Sequence, residues 1–178
     1  MSLKFFKRLL LLCFIFFGST QYTYADKPEY QVKALSLVLF LKYISFNDKS
    51  DEFHIGVYGD NPFAGHLKKF DGQKIKNRKI RIHLFQNDLE AANLKKCHLI
   101  FISNSEVLKQ AELIKKLSTP DNLVIGDNKW FIKSGGMINL HILNDEVRWD
   151  TNKSLIDKKN LKVDYQIYEL STNKGSSK

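Results

Sequence analysis

Residues 30–46 carry apolar side chains at the spacing of an α-helix. The stripe with this spacing consists of Tyr30, Ala34, Leu37, Val38, Leu41 and Ile44. The main polar positions within the segment are Gln31, Lys33, Ser36 and Lys42. Leu35, Leu39 and Phe46 lie off the stripe, so this helix must be covered on two sides. Two interpretations stay open: deep burial within the monomer, or contact of a face that carries Leu35, Leu39, Lys42 and Phe46 with a second subunit or a partner.

Short apolar runs alternate with helical segments from residue 53 onward. The runs that predict strands are 53–59, 79–85, 97–103 and 123–126. The segments that predict helices lie around Leu67 and Lys68, over 88–94 and over 107–117. Asp60 or Asn61 can cap the first of these helices with Pro62 at its first position, and Ser103 to Glu106 forms a capping box before the last. An alternation of this kind is typical of a parallel sheet.

The pattern changes near the carboxyl terminus. Residues 137–143 and 146–150 are two extended runs joined by Asn144 and Asp145, which is the signal of a tight hairpin. A short helix over 154–160, a last strand over 163–170 and a disordered polar tail over 171–178 complete the prediction. The expected fold is therefore α/β, with an open, mostly parallel sheet, flanking helices and an antiparallel hairpin at its carboxyl-terminal edge. One domain is expected over 26–170.

The first 25 residues have the features of a secretory signal peptide. Lys4, Lys7 and Arg8 precede the apolar run 9–17, which is too short to span a bilayer. Thr23-Tyr24-Ala25 matches the small-x-Ala pattern of a signal-peptide cleavage site. Cleavage is therefore expected between Ala25 and Asp26. An uncleaved amino-terminal anchor is the alternative. We expect a periplasmic protein.

Removal of this segment changes the net charge and the number of cysteines in the mature chain. The chain has 178 residues with 28 Lys and Arg against 19 Asp and Glu, for a net charge of +9. Cleavage would remove three basic residues and no acidic one, which lowers the charge to +6. Export argues against nucleic acid as a partner. Cleavage also leaves Cys97 as an unpaired thiol. Three roles stay open for this thiol: an inert core thiol, an intermolecular disulfide, or a redox sensor.

The chain carries no motif that predicts catalysis or a bound metal. It lacks a Gly-x-Ser-x-Gly elbow, a phosphate-binding loop and a His-Glu-x-x-His motif. Its five histidines have no pair at helical ligand spacing, and ordinary packing is the favoured interpretation for them. We therefore expect a protein that is not an enzyme and that has no cofactor.

Three of the predicted strands end in small polar clusters, which parallel strands would bring to one edge of the sheet. The candidate ligand-binding rim consists of Asp60, Asn61, Ser103, Asn104, Asp127, Trp130, Phe131, Gly135 and Gly136. Two interpretations stay open, because helix caps and turns would explain the same polar residues without any ligand.

Taken together, these segments resemble the YfiR family of small periplasmic regulators over about Glu29 to Leu170. The resemblance rests on the first helix, the segments FHIGVYGDNPFAGHL and KCHLIFIS, and above all GDNKWFIKSGGMINLHILNDEVRWDTN. The order and spacing of all these segments carry the match. The sequence departs from the family at Phe46-Asn47-Asp48, where the family usually has Trp-Pro. Cys97 matches a family cysteine whose partner is absent here.

The resemblance implies a regulator that represses a membrane-bound diguanylate cyclase by binding its periplasmic sensor domain. Such repression lowers cyclic-di-GMP and biofilm formation. It further implies a homodimer, and an outer-membrane lipoprotein that can sequester the regulator. Redox sensing through cysteine pairs is in doubt for this chain. A sensor kinase as the membrane partner, and a periplasmic module that binds a small ligand at the polar rim, are the alternative hypotheses.

Overall fold

The computed structural model of the chain describes residues 28–86 and 91–173. The strands in this part of the chain are β1 (Ile44–Phe46), β2 (Glu52–Tyr58), β3 (Lys74–Ile75), β4 (Arg78–Phe85), β5 (Leu99–Ile102), β6 (Leu123–Gly126), β7 (Ile138–Leu143), β8 (Glu146–Thr151) and β9 (Leu161–Val163). The helices are α1 (Pro28–Tyr43), α2 (Gly65–Lys68), α3 (Ala91–Leu94), α4 (Gln110–Leu117), α5 (Lys153–Ile156) and α6 (Tyr165–Glu169), with a 3₁₀ turn at Asn104–Glu106.

Seven of the strands form one sheet in the order β3-β4-β2-β5-β6-β7-β8. The five inner strands run parallel to one another. At the two edges, β3 pairs antiparallel with β4, and β8 pairs antiparallel with β7. β7 and β8 form the predicted hairpin, in which Asn144 and Asp145 both have positive φ, as the favoured two-residue turn requires. This architecture confirms the predicted α/β class with its mostly parallel sheet, flanking helices and antiparallel hairpin.

The core forms where α1 packs on the sheet. The helical stripe predicted from the sequence is buried, and Phe40 is buried with it. The Phe40 ring meets Trp149 of β8 edge-on with centroids 5.3 Å apart. At the other end of α1, Tyr30 meets Phe63, which in turn packs on Phe101 of β5. β5 and β6 are buried along their whole length, as expected for strands covered on both faces.

The first helix is shorter than predicted, because Tyr43 ends it. Ile44–Phe46 leaves the helix and pairs with Leu161–Val163 in a separate two-stranded antiparallel sheet. The backbone carbonyl of Tyr43 accepts a hydrogen bond from the Asp164 backbone amide, and that of Ile44 accepts one from the Lys76 ammonium group. Pairing with a distant segment therefore overrides the helical pattern of residues 44–46.

The predicted last strand over 163–170 is wrong, since most of it forms helix α6. Asp164 caps this helix by accepting a hydrogen bond from the Gln166 backbone amide. The Trp149 indole donates a hydrogen bond to the Ile167 carbonyl at 2.9 Å, and the Ile167 side chain is buried. The alternating apolar residues of this segment resemble a strand, but the cap and the contact with Trp149 select a short helix.

Two predicted helix starts also differ from the structure. Pro62 lies in a turn before α2, where the Asn61 side chain accepts a hydrogen bond from the Phe63 backbone amide. The predicted capping box forms a 3₁₀ turn instead, because the Ser103 side chain accepts from Ser105 rather than from Glu106. The α-helix that follows begins at Gln110.

Some predictions concern residues at the edges of the described part of the chain. The cleavage site between Ala25 and Asp26, residues 88–90 of a predicted helix, and residues 174–178 lie outside the described residues. Ser171 and Asn173, which the sequence analysis assigns to a disordered tail, are instead hydrogen-bonded to Thr151 of β8. Ser171 is buried.

Phe131 fills the space between two glycines in the segment that connects β6 to β7. A Cβ atom at Gly126 or Gly136 would lie within 2.3 Å of its ring, so both positions need a residue without a side chain. Phe131 is fully buried, whereas its neighbour Trp130 is 51% exposed.

We predict that Phe131→Ala lowers the free energy of unfolding by about 3–5 kcal/mol, because it leaves a cavity between the two glycines. Chemical denaturation of the purified protein measures this change. Trp130→Ala is the matched control and should change the same free energy by less than about 0.5 kcal/mol. Equal losses in the two variants would contradict this account of the segment.

Candidate functional site

A polar cleft of about 650 Å³ opens at the carboxyl ends of β2, β5 and β6. β2 lies between β4 and β5 in the sheet. The chain passes from β2 to its neighbour β4, and from β4 it crosses back to β5, the neighbour of β2 on the opposite edge. The loops that follow β2 and β5 therefore diverge, and ligands bind at such switch points in open α/β sheets. The amino-terminal part of α1 forms a further wall of the cleft, through Glu29, Tyr30 and Lys33.

Asp127 follows β6 directly and forms a buried ion pair with Lys33 of α1. The distance from Lys33 Nζ to Asp127 Oδ2 is 3.0 Å, and the two side chains are 5% and 1% exposed. The Tyr30 hydroxyl donates a second hydrogen bond to the same oxygen at 2.8 Å. The Lys33 ammonium group also lies 4.4 Å from the centroid of the Tyr30 ring. These contacts tie the start of α1 to the carboxyl end of a central strand.

The second carboxylate oxygen of Asp127 is buried without a hydrogen-bond partner among the described residues. Buried carboxylate oxygens normally accept hydrogen bonds, because an unsatisfied one loses its interactions with water. Glu29 and Asp60 add two further carboxylates to the cleft, against the single ammonium group of Lys33. The cleft is therefore net negative in a chain whose overall charge is positive.

Hydrogen bonds between the loops after β2 and β5 fix the opposite wall of the cleft. The Ser105 hydroxyl accepts a hydrogen bond from the Asp60 backbone amide at 3.1 Å. Gly59, at the start of the first loop, has φ of 87°, and a Cβ atom there would lie 2.7 Å from Ser105 Oγ. A glycine is therefore needed for this close approach.

The structure brings five of the nine predicted rim residues together. Asp60, Asn61, Ser103, Asn104 and Asp127 all line the cleft. Ser105, which belongs to the predicted polar cluster that follows the third predicted strand, lines the cleft as well. The sequence analysis missed the contribution of Glu29, Tyr30, Lys33 and Pro62. Lys33 lies on the apolar side of α1, one turn beyond Glu29, where a cation needs a buried partner. This position could have indicated that Lys33 belongs to the site.

The other four predicted rim residues do not line this cleft. Phe131 and Gly136 belong to the core, as described above. Gly135 lies beside Ile114 of α4 in a different surface depression. Trp130 is on the surface, where the ammonium groups of Lys129 and Lys133 lie 5.2 and 5.1 Å from its ring centroid. The predicted rim is therefore split, and its aromatic part is separate from the polar cleft.

The outward side of α1 presents an apolar stripe at the protein surface. Leu35 is 53% exposed, Val32 is also exposed, and Leu39 is half-buried between them and Lys42. Because these residues are three or four positions apart, they share one face of the helix. Phe46, which was predicted to belong to this face, lies instead in β1. There it packs edge-on against Phe53 and His98, with centroids 5.9 and 4.9 Å away.

A second cavity, of about 510 Å³, contains three histidines that are distant in sequence. His54 of β2 stacks between His83 of β4 and His98, with ring centroids 5.1 and 5.8 Å away. His98 Nδ1 accepts a hydrogen bond from the His54 backbone amide, so the proton of its neutral ring is on Nε2, 2.8 Å from Asp48 Oδ2. We call His54, His83 and His98 the histidine cluster. In the described part of the chain, no three His, Cys, Asp or Glu side chains are grouped to hold a metal ion.

Burial governs the acid–base properties of this cavity. It lowers the pKa of each of the three histidines below the ordinary value of 6.5, although the hydrogen bond to Asp48 opposes the shift for His98. Burial also raises the pKa of the Cys97 thiol to about 12, and Cys97 is a free, buried cysteine that lines the same cavity. A thiol with this pKa is protonated at neutral pH, which favours the interpretation of Cys97 as an inert core residue.

A model of the YfiR/HmsC-like family matches residues 30–172 of this chain. The chain belongs to this family. The match covers every strand and helix described above except the first two residues of α1, and it confirms the resemblance found in the sequence. Among curated proteins, none matches the chain.

Proteins of the YfiR/HmsC-like family are periplasmic and regulatory rather than catalytic, and the family generally associates with periplasmic domains of diguanylate cyclases. Neither histidine nor cysteine occurs among the residues that line the polar cleft. Within residues 28–86 and 91–173, no helix has the length and apolar character needed to cross a membrane.

We predict that the protein loses stability as the pH falls below about 6.5, because the histidine cluster is harder to protonate when folded. The unfolded chain has ordinary histidine pKa values near 6.5, whereas the folded values are lower. Between the two, the unfolded state binds more protons, so the free energy of unfolding decreases as the pH is lowered. Denaturation between about pH 7.5 and about pH 5.5 measures this decrease.

The histidine cluster can be tested by removing two of its members. The double variant His54→Gln, His83→Gln should lose less stability over this pH range than the unaltered protein does. His66→Gln, which changes a histidine of α2 outside the cluster, is the control and should keep the full pH dependence. A pH dependence that is the same in all three proteins would show that the cluster is not its source.

Proposed function

We propose that this chain is a non-enzymatic periplasmic regulator that binds and represses the periplasmic sensor domain of a membrane-bound diguanylate cyclase. By this repression it would lower cyclic-di-GMP and biofilm formation. Export through a signal peptide cleaved between Ala25 and Asp26 is part of the proposal. Membership of the YfiR/HmsC-like family supports it, because the family match spans residues 30–172 and so nearly all of the described fold.

The observation that carries the proposal is the exposed apolar stripe of α1. We name the face formed by Val32, Leu35, Leu39 and Lys42 the α1 face. Burying a fully exposed leucine is worth about 1.5–3 kcal/mol. Leu35 and Val32 are about half exposed and Leu39 is less so, so each could supply at most about half of this amount on docking. Apolar side chains at interfaces are usually bordered by polar residues, and Gln31 and Lys42 flank the stripe here.

Docking at the α1 face would repress the cyclase only if the regulator binds the inactive state of the sensor domain more tightly than the active state. A regulator of this kind needs no catalytic group. A homodimer, and sequestration by an outer-membrane lipoprotein, are further parts of the proposal. A sensor kinase is the alternative membrane partner.

Redox control through a disulfide within one chain is not part of the proposal. Cys97 is the cysteine of the described fold, and it is buried and free. Residues 28–86 and 91–173 hold no second cysteine, so they offer Cys97 no partner for an internal bridge.

We predict that Leu35→Asp abolishes repression, because a charge at the centre of the α1 face would have to be buried on docking. The readout is cyclic-di-GMP in cells that lack the chromosomal copy of this protein and express either form. The unaltered protein should lower cyclic-di-GMP, and Leu35→Asp should leave it at the level of the deletion strain. Thermal unfolding should show both proteins folded, since Leu35 is 53% exposed.

Leu108→Asp is the matched control, because Leu108 is 97% exposed and lies outside α1. It should repress as the unaltered protein does. Loss of repression in Leu108→Asp together with normal repression in Leu35→Asp would contradict the α1 face as the docking site. No change of cyclic-di-GMP on deletion would contradict the proposed function itself.

A second candidate function is the binding of a small ligand in the polar cleft. The buried, unpartnered Oδ1 atom of Asp127 favours it, since Asp127 lines a cavity large enough for a metabolite. The two functions are compatible, because the cleft and the α1 face involve different residues of α1.

A further inference from the structure

We propose that the polar cleft binds a small organic amine that carries no carboxylate, with the ligand's ammonium group donating a hydrogen bond to Asp127 Oδ1. This inference rests on the second candidate function and names the chemical class of the ligand. It does not depend on the identity of the membrane partner.

The first argument is the unsatisfied acceptor. Both protein donors near Asp127, the Tyr30 hydroxyl and the Lys33 ammonium group, contact Oδ2. Oδ1 is buried and accepts no hydrogen bond from the described residues. Asp127 lines the cleft, so a ligand bound there lies beside this carboxylate. Hydrogen bonds between an ammonium group and a carboxylate are among the strongest in proteins, which makes a charged N–H donor the best complement.

The second argument is the sign of the charge. Lys33 neutralises one of the three carboxylates of the cleft, and Glu29 and Asp60 remain. Glu29 Oε1 is 3.8 Å from the Lys33 ammonium group, which is already bonded to Asp127. A cation is therefore attracted to the cleft. An amino acid has no net charge and so lacks this attraction, and its own carboxylate is repelled by the carboxylates that remain.

The third argument is the size and polarity of the cleft. Its volume of about 650 Å³ is in the range of small-molecule sites. Apart from the charged groups, the lining offers the Ser105 hydroxyl and the side-chain amides of Asn61 and Asn104. These groups suit a ligand that has hydroxyl groups beside its amine. Large apolar amines would find few apolar partners there.

Isothermal titration calorimetry with the purified chain tests the ligand class. The probe is ethanolamine, a small amine with one hydroxyl group. Three comparison compounds each change one property: ethylene glycol replaces the ammonium group with an uncharged hydroxyl group, serine adds a carboxylate, and choline keeps the charge and the hydroxyl group but has no N–H donor. We expect ethanolamine to bind at least about tenfold more tightly than each of the three, because each lacks the charged hydrogen bond or is repelled.

Variants locate the binding site. Asp60→Asn removes an exposed carboxylate of the cleft without touching the buried pair, and it should weaken ethanolamine binding about threefold. Asp127→Asn could unfold the protein by leaving Lys33 unpaired, so the test uses the double variant Lys33→Met, Asp127→Asn, which removes both charges. It should fold and lose at least about tenfold in affinity. Asp157→Asn, in an exposed position after α5, is the control and should bind as the unaltered protein does.

Two results would overturn the proposal. One is the absence of ethanolamine binding, or equal binding of ethanolamine and ethylene glycol. The other is binding that the double variant retains in full. Because calorimetry uses this protein alone, either result would leave repression of a cyclase unaffected. Conversely, amine binding by a protein that represses no cyclase would uphold the cleft and overturn only the regulatory function.

Discussion

The buried ion pair between Lys33 and Asp127 fixes the position of α1 on the sheet. Replacing such a pair with apolar residues is often neutral or stabilising, but a pair that is present cannot be broken without leaving a buried charge. Lys33 can reach Asp127 only if the amino-terminal turns of α1 lie over the carboxyl end of β6. The buried stripe of the same helix then packs on the sheet as far as Trp149. The pair therefore acts mainly as a geometric constraint.

This constraint places two surfaces of opposite character on one helix. Glu29, Tyr30 and Lys33 turn toward the polar cleft, while Leu35 and Leu39, about one turn further on, face outward. A ligand that contacts Asp127 would act on the residues that anchor α1. Such a ligand could change partner binding only through a difference in affinity between two states of the protein. The arrangement offers a short physical path between the proposed cleft and the proposed docking face.

The sequence predicts the fold class well, because buried parallel strands and the Asn144-Asp145 turn produce strong local patterns. It fails where distant contacts decide the structure: β1 leaves the helical pattern to pair with β9, and Trp149 helps to select a helix over 165–169. The polar ends of the strands correctly indicate five cleft residues. The partner of Lys33 could not be assigned, because Asp127 is 94 residues away in the sequence. The sequence suggests that Phe131 and Gly136 belong to an exposed loop. In the structure, however, the Phe131 ring packs between Gly126 and Gly136.

The central claim is that the α1 face contacts a diguanylate cyclase in the periplasm. The most direct measurement is photo-cross-linking in living cells, with a cross-linking amino acid placed at position 35 and, as the comparison, at position 108. The account predicts a covalent product between position 35 and the periplasmic domain of a diguanylate cyclase, identified by mass spectrometry, and no such product from position 108. A cyclase product from position 108 alone, or none from either position, would contradict it.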